Sequence, residues 1–166
     1  MNAFVIDAFE FCRVKDRCEG ETAVADLPRL AQESVDQFGS LRWSLQGGSS
    51  SQGHPQLTMD VSGAVRLTCQ RCLRPFDFGI QSESVLILAQ DEASADELDA
   101  LLVDEEVEVI VGSRICNFLD LIEDEALLAL PLSPRHEVCP DPILSERAGE
   151  AEKVSPFAVL KDLKRK

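Results

Sequence analysis

The stretch from Val61 to Phe78, VSGAVRLTCQRCLRPFDF, limits what this chain can fold into more than any other. Val61, Gly63, Val65 and Leu67 stand two apart, with Ser62, Ala64, Arg66 and Thr68 between them. That alternation is the period of a half-buried strand. A second extended run, Phe76-Asp77-Phe78, starts after Pro75. The short connection between the two carries Cys69 and Cys72, and thiols three residues apart at a strand turn can point their sulfurs at one spot. Upstream, Leu41-Arg42-Trp43-Ser44-Leu45 alternates as well, which puts the single tryptophan on a core face with two leucines. GGSSSQGHP at 47–55 has the composition of a hairpin loop, with His54 exposed in it. Leu57 and Met59 lead into the cysteine stretch, and Ile80 followed by Val85-Leu86-Ile87-Leu88 continues beyond it. Strands at 41–46, 56–69 and 76–90 with short connections predict an antiparallel meander.

At 166 residues and 45% apolar composition the chain suits one domain with a sizeable core. No apolar run approaches the roughly 18 residues needed to span a bilayer. The opening MNAFVIDAFEF has no basic leader and carries Asp7 and Glu10, unlike a secretory signal. A cytoplasmic protein with reduced thiols is therefore expected. Six cysteines at uneven spacing then favour metal binding or plain burial over disulfides.

Charge is spread unevenly. Residues 91–125 hold 13 acids and only Arg114, which accounts for most of the net charge of −14. Such a field repels phosphates across most of the surface and attracts a basic protein partner; its other reading is simple solubility. Within 91–108, SADELDALL can form a short helix capped by Ser94 with Glu97 at the capping-box position, or a solvated acidic loop. Val107, Val109 and Val111 alternate and can add a strand.

Helices are expected at both ends of this sheet. Residues 7–18 can form one, with Phe9 and Cys12 on one side and Phe11 and Val14 on another. Glu19 to Ala25 can be a short strand. Asp26 is a candidate N-cap for a second helix with Leu27, Leu30, Ala31 and Val35 on one face. Ile115 to Leu130 is the strongest helical pattern, with Phe118, Leu119, Ile122, Ala126 and Ala129 repeating at three and four. Asp120, Glu123, Asp124 and Glu125 are assigned to its opposite side, as a solvated face or a bait for a basic partner. Pro131 and Pro134 follow it. Residues 141–154 read as a polar linker, and 155–166 as a short amphipathic helix, with Phe157, Leu160 and Leu163 on one face and Lys161, Lys164, Arg165 and Lys166 near its end. The expected class is α+β: a single domain over 1–140, an antiparallel meander sheet packed by a long acidic-faced helix and N-terminal helices.

The chemistry-bearing constellation is Cys69-x-x-Cys72 with His136-x-x-Cys139. A structural zinc site takes four N/S ligands placed tetrahedrally, often as two close pairs, and this set meets that count. Pro134 and Pro140 bracket the second pair in a stiff turn. A metal here would staple the first hairpin to the segment after the long helix. Reduced, unliganded thiols and a redox pair stand beside that reading. The redox reading lacks the helix that follows the first thiol in thioredoxin-like sites. Arg71 and Arg74 can lower a thiol pKa, or orient a phosphate or an acidic group. Cys12 and Cys18 read as small core residues. With two histidines and no phosphate-cradling glycine loop, an enzyme is not expected.

Three blocks, CQRCLRPF at 69–76, EDEALLALPLSPRH at 123–136 with Cys139, and SPFAVLKDLKRK at 155–166, together resemble the YceD family of bacterial large ribosomal RNA subunit accumulation proteins. On that pattern Cys69 and Cys72 correspond to the family's paired cysteines, and His136 and Cys139 to its His/Cys segment. The resemblance implies a non-enzymatic role in synthesis, processing or stability of large-subunit ribosomal RNA; zinc is inferred from spacing alone. The charge favours action through basic ribosomal proteins or precursor particles, with Glu123, Asp124 and Glu125 as bait; the helix carrying Phe157, Leu160, Lys164 and Arg165 docks either on its own domain or on a partner. Direct RNA contact through Arg66, Arg71, Arg74 and the basic tail is the other route. The alternative function is a zinc-buffering or thiol-redox protein using Cys69 and Cys72.

Overall fold

A computed structural model describes residues 5–103 and 105–140. In chain order it contains β1 (Val5–Ile6), α1 (Ala8–Val14), β2 (Arg17–Ala23), a 3-10 turn (Val24–Asp26), α2 (Pro28–Glu33), β3 (Ser40–Ser49), β4 (Pro55–Thr68), β5 (Pro75–Ala89), α3 (Glu92–Leu101), β6 (Glu108–Val111), β7 (Cys116–Asn117) and α4 (Phe118–Leu128). Five strands form one sheet in the order β2-β3-β4-β5-β6, while β1 and β7 pair separately. The first four are an antiparallel meander, and the class is mixed α+β, as expected. The expected strand around Val109 is β6, but it runs parallel to β5, because the chain returns to the sheet edge through α3.

The sheet has two unlike faces, as the period of two requires. Leu41, Trp43 and Leu45 on β3 lie opposite Gly63, Val61 and Met59 on β4 and share one face with them. That face is buried with Phe11 and Cys12 of α1, Leu27 and Leu30 around α2, and Phe118, Ile122 and Ala126 of α4. Trp43 is 5% exposed, and its indole N–H donates to Thr22 Oγ1 at 2.9 Å, so its one polar atom is satisfied. Gly47 is where α1 lies directly on β3: a Cβ there would stand 2.4 Å from the Phe11 carbonyl oxygen. Ile87, Ala89 and Leu102 are buried apart from this main cluster, where α3 packs on the ends of β5 and β6.

Several local expectations are corrected. The first helix stops at Lys15, which adopts a left-handed conformation (φ 54°), so Cys18 lies on β2 and not on a helix. Gly47 and Gly48 extend β3 instead of opening the hairpin loop, and His54 is half-buried, not exposed. Asp26 belongs to the 3-10 turn and does not cap α2, and Val35 is exposed beyond that helix. α3 begins three residues early, with Asp91 as N-cap and Ser94 completing a capping box; Ser94 itself is the third helical residue. The last helix spans Phe118–Leu128, because Cys116 and Asn117 pair with β1 and Asn117 caps the helix at Leu119 N–H.

The acidic face of α4 is the largest correction. Glu123 and Glu125 are buried, at 3% and 7% exposure, and point toward the protein. Glu123 Oε1 accepts from the backbone N–H groups of Arg29 at 2.6 Å and Leu30 at 3.1 Å, which are free donors in the first turn of α2. Its Oε2 accepts from Arg29 Nε at 2.8 Å. The cap that Asp26 does not provide thus comes from α4. Glu125 accepts from the Ser82 hydroxyl on β5. Asp120 and Asp124 remain exposed, and Asp124 pairs with the same Arg29 guanidinium. The bait assignment fails for Glu123 and Glu125, which hold α2 and α4 to the body. The linker at 141–154 and the helix at 155–166, with Phe157, Leu160, Lys164 and Arg165, lie outside the described residues.

Candidate metal centre

The turn that joins β4 to β5 is where the two cysteines sit. β4 ends at Thr68 opposite Pro75, and Leu73, at φ 59°, lets the chain reverse in the few residues between. The Leu73 N–H donates to the Cys69 carbonyl at 2.9 Å, and the Cys69 N–H to the Arg74 carbonyl at 2.9 Å. The second segment arrives from the end of α4. Gln70 N–H donates to the Pro134 carbonyl at 2.8 Å, and Ser133 Oγ to Gln70 Oε1 at 2.8 Å, so one backbone and one side-chain hydrogen bond stitch the two turns together. The ring of Phe76 lies 5.0 Å from that of His136.

The result brings all four expected donors together. Cys69, Cys72, His136 and Cys139 place their ligand atoms within 4.8 Å of one another. Cys69 and Cys139 sulfurs are 3.9 Å apart, and Cys72 Sγ is 3.3 Å from His136 Nδ1. A tetrahedral zinc with bonds of about 2.3 Å to sulfur and about 2.0 Å to nitrogen needs edges of roughly 3.8 Å and 3.5 Å. The donor chemistry and the spacing both fit, and the group could hold a metal.

The electrostatics favour deprotonated sulfur at one corner. Burial pushes the Cys69 thiol up, but hydrogen bonds from the backbone N–H groups of Cys72, His136 and Arg71, with the His136 side chain, bring it down to about 5. Cys72 moves up, through burial first and then the neighbouring Cys139 and Cys69 sulfurs, against the Arg74 N–H. Cys12, Cys18 and Cys116 all move up, with burial the main cause. Cys12 donates to the Gln56 carbonyl at 3.2 Å within the core, as a small core residue would.

Arg71, expected among the partner-binding residues, is exposed and turns its guanidinium onto the second donor pair. Its Nε donates to Cys139 Sγ at 3.0 Å and its Nη2 to the His136 carbonyl at 3.2 Å. Arg74 is exposed at the same tip, and Arg66 pairs with Asp36 and Asp77. Exposed Leu73, Val138 and Arg135 also lie on the two turns, and nothing in their spacing marks them.

A family model described as "Large ribosomal RNA subunit accumulation protein YceD" matches residues 57–164, a span that includes all four donors. The chain belongs to the YceD family. It is 31% identical over 158 residues to the large ribosomal RNA subunit accumulation protein YceD of Haemophilus influenzae, covering 89% of this chain and 87% of that protein. No solved structure matches. Membership in the YceD family rests on sequence. No helix among the described residues is long and apolar enough to cross a membrane.

Proposed function

We propose that this protein supports the accumulation of large-subunit ribosomal RNA as a non-enzymatic assembly factor in the cytoplasm, and that a structural zinc ion clips its β4–β5 turn to the segment after α4. The YceD relationship supplies the ribosomal part of this reading. The observation that carries the rest is the quartet itself: four protein donors around one point form a closed coordination set. Catalytic zinc sites keep a position open for water or substrate, whereas closed sets are structural. Metal binding to such a set is also folding energy, because the unfolded chain offers no preformed site.

The charge distribution supports docking on precursor particles through basic ribosomal proteins. The clip follows Thr68 at one end of the β4–β5 hairpin, and α3 begins beyond Ala89 at the other. At about 3.3 Å per residue the two ends are on the order of 40 Å apart. Residues 91–108 carry nine acids and no base, so a basic protein meets one pole of the molecule, far from the clip. Co-sedimentation with large-subunit precursors tests the reading, together with pull-downs at low and high salt. Ribosomal proteins should be recovered at low salt and lost at high salt. Cells lacking the protein should hold less large-subunit RNA, and normal amounts would refute the reading. RNA recovered from protein-stripped extract would overturn the ribosomal-protein route.

One observation favours a thiol-redox or zinc-buffering role, namely the Cys69 thiol brought down to about 5. The turn that follows Cys72 leads into β5 and not into a helix, which weighs against thioredoxin-like chemistry. Cys69→Ser separates the two: a clip loses stability, while a redox centre loses thiol reactivity and keeps its fold.

A further inference from the structure

Arg71 stands between the two cysteines of the first turn, yet its side chain serves the second turn. The guanidinium spans Cys139 Sγ at 3.0 Å and the His136 carbonyl at 3.2 Å, so one planar group touches both donor-bearing residues of the 136–139 segment. Three thiolates, a neutral imidazole and a divalent ion sum to one negative charge, and an arginine is charged at every accessible pH. The centre lies at a partly exposed tip: Cys69 is buried, but Cys72, His136 and Cys139 are only half-buried. Arg71 is the described side chain that reaches across from the first turn to the Cys139 sulfur.

We infer that Arg71 is the counter-charge and positioning residue of this centre: it neutralises the three-thiolate set and holds Cys139 on the metal, so that the clip retains zinc. The inference rests on the zinc reading above. A hydrogen bond to a metal-bound sulfur draws off charge that would otherwise favour attack by electrophiles, and outer partners of metal ligands are typically worth ten- to a hundred-fold in affinity. The two-pronged contact also explains why a residue flanked by ligands points inward from an exposed position. A lysine keeps the charge but not the planar fork that reaches sulfur and carbonyl together.

The experiment uses the full chain loaded with one equivalent of zinc. Release to a colorimetric chelator and alkylation of Cys139 by iodoacetamide are followed for the parent chain and for Arg71→Gln, Arg71→Lys and Arg135→Gln. Arg135→Gln removes the same charge beside His136, from a guanidinium whose Nε donates to Ser133 Oγ at 3.3 Å and not to a donor sulfur. Arg71→Gln is expected to release zinc about ten-fold faster or more and to expose Cys139 to alkylation, Arg71→Lys to fall between, and Arg135→Gln to match the parent. Equal release from Arg71→Gln and the parent overturns the inference, and so does equal acceleration by Arg135→Gln, which would make the effect a general field. If Arg71→Gln does not fold, the Arg71→Lys comparison decides it. A parent chain that takes up no zinc defeats the zinc reading itself, a different result from a parent that holds zinc regardless of Arg71.

Discussion

Glu123 shows how much one side chain carries in this molecule. It closes the first turn of α2 with two backbone hydrogen bonds and receives the Arg29 guanidinium, all from a helix about ninety residues later in the chain. Glu123→Ala leaves the Leu30 N–H buried without an acceptor, at a cost of about 1–3 kcal/mol. The thermal midpoint should fall, while Glu123→Gln, which keeps an acceptor, should recover part of the loss. Asp124→Ala should leave the midpoint unchanged, because that carboxylate is half exposed and Arg29 keeps Glu123. The sequence cannot show this division. Glu123, Asp124 and Glu125 are consecutive acids, and helical periodicity alone assigns them to a polar side; only the positions of Arg29 and Ser82 reveal that two of the three turn inward. The metal quartet was legible at this same scale, because close pairs of soft donors are rare and each pair is visible within four residues.

The long strands were the most readable elements, since alternation at period two marks β3 and β4, a continuous apolar run marks the end of β5, and short turns join them. The direction of β6 was not, because four alternating residues carry no information about the strand they join. Helix starts were readable only where the cap is local, and even there the Asp91–Ser94 box was displaced to Ser94. Two predictions belong here. Gly47→Ala drives a methyl group into the Phe11 carbonyl of α1 and should cost about 1–3 kcal/mol, measured by denaturant unfolding. Gly48→Ala, one residue on, meets nothing within 4 Å and should be neutral. The Asp91 carboxyl is held below its ordinary value by the Ser94 N–H and hydroxyl. A depressed carboxyl stabilises the fold above the ordinary carboxylate range and loses that contribution as pH falls through its folded value. The protection of the first-turn amides of α3, taken relative to their intrinsic exchange rates, should therefore fall in acid, and Asp91→Asn should flatten that dependence.

At the scale of the whole molecule, one long hairpin separates two features. One end carries α3 and the acidic run, and the other carries the four-donor turns. The helices α1, α2 and α4 pack on one sheet face between them, and α4 continues to the second donor pair through the segment 129–139. Loss of the metal should therefore loosen the tip and the α4 exit before the core, seen as hydrogen exchange that rises first at 69–74 and 133–139. The ribosomal role also predicts that Cys72→Ser, by releasing the clip, lowers large-subunit RNA in cells even where the core stays folded. Metal stoichiometry by native mass spectrometry on the purified full chain, with thermal unfolding before and after chelation, tests the central claim most directly. The clip predicts one zinc per chain, none bound tightly by Cys72→Ser, and a lower midpoint after chelation; a metal-free parent chain whose midpoint is indifferent to chelator and to added zinc would contradict it.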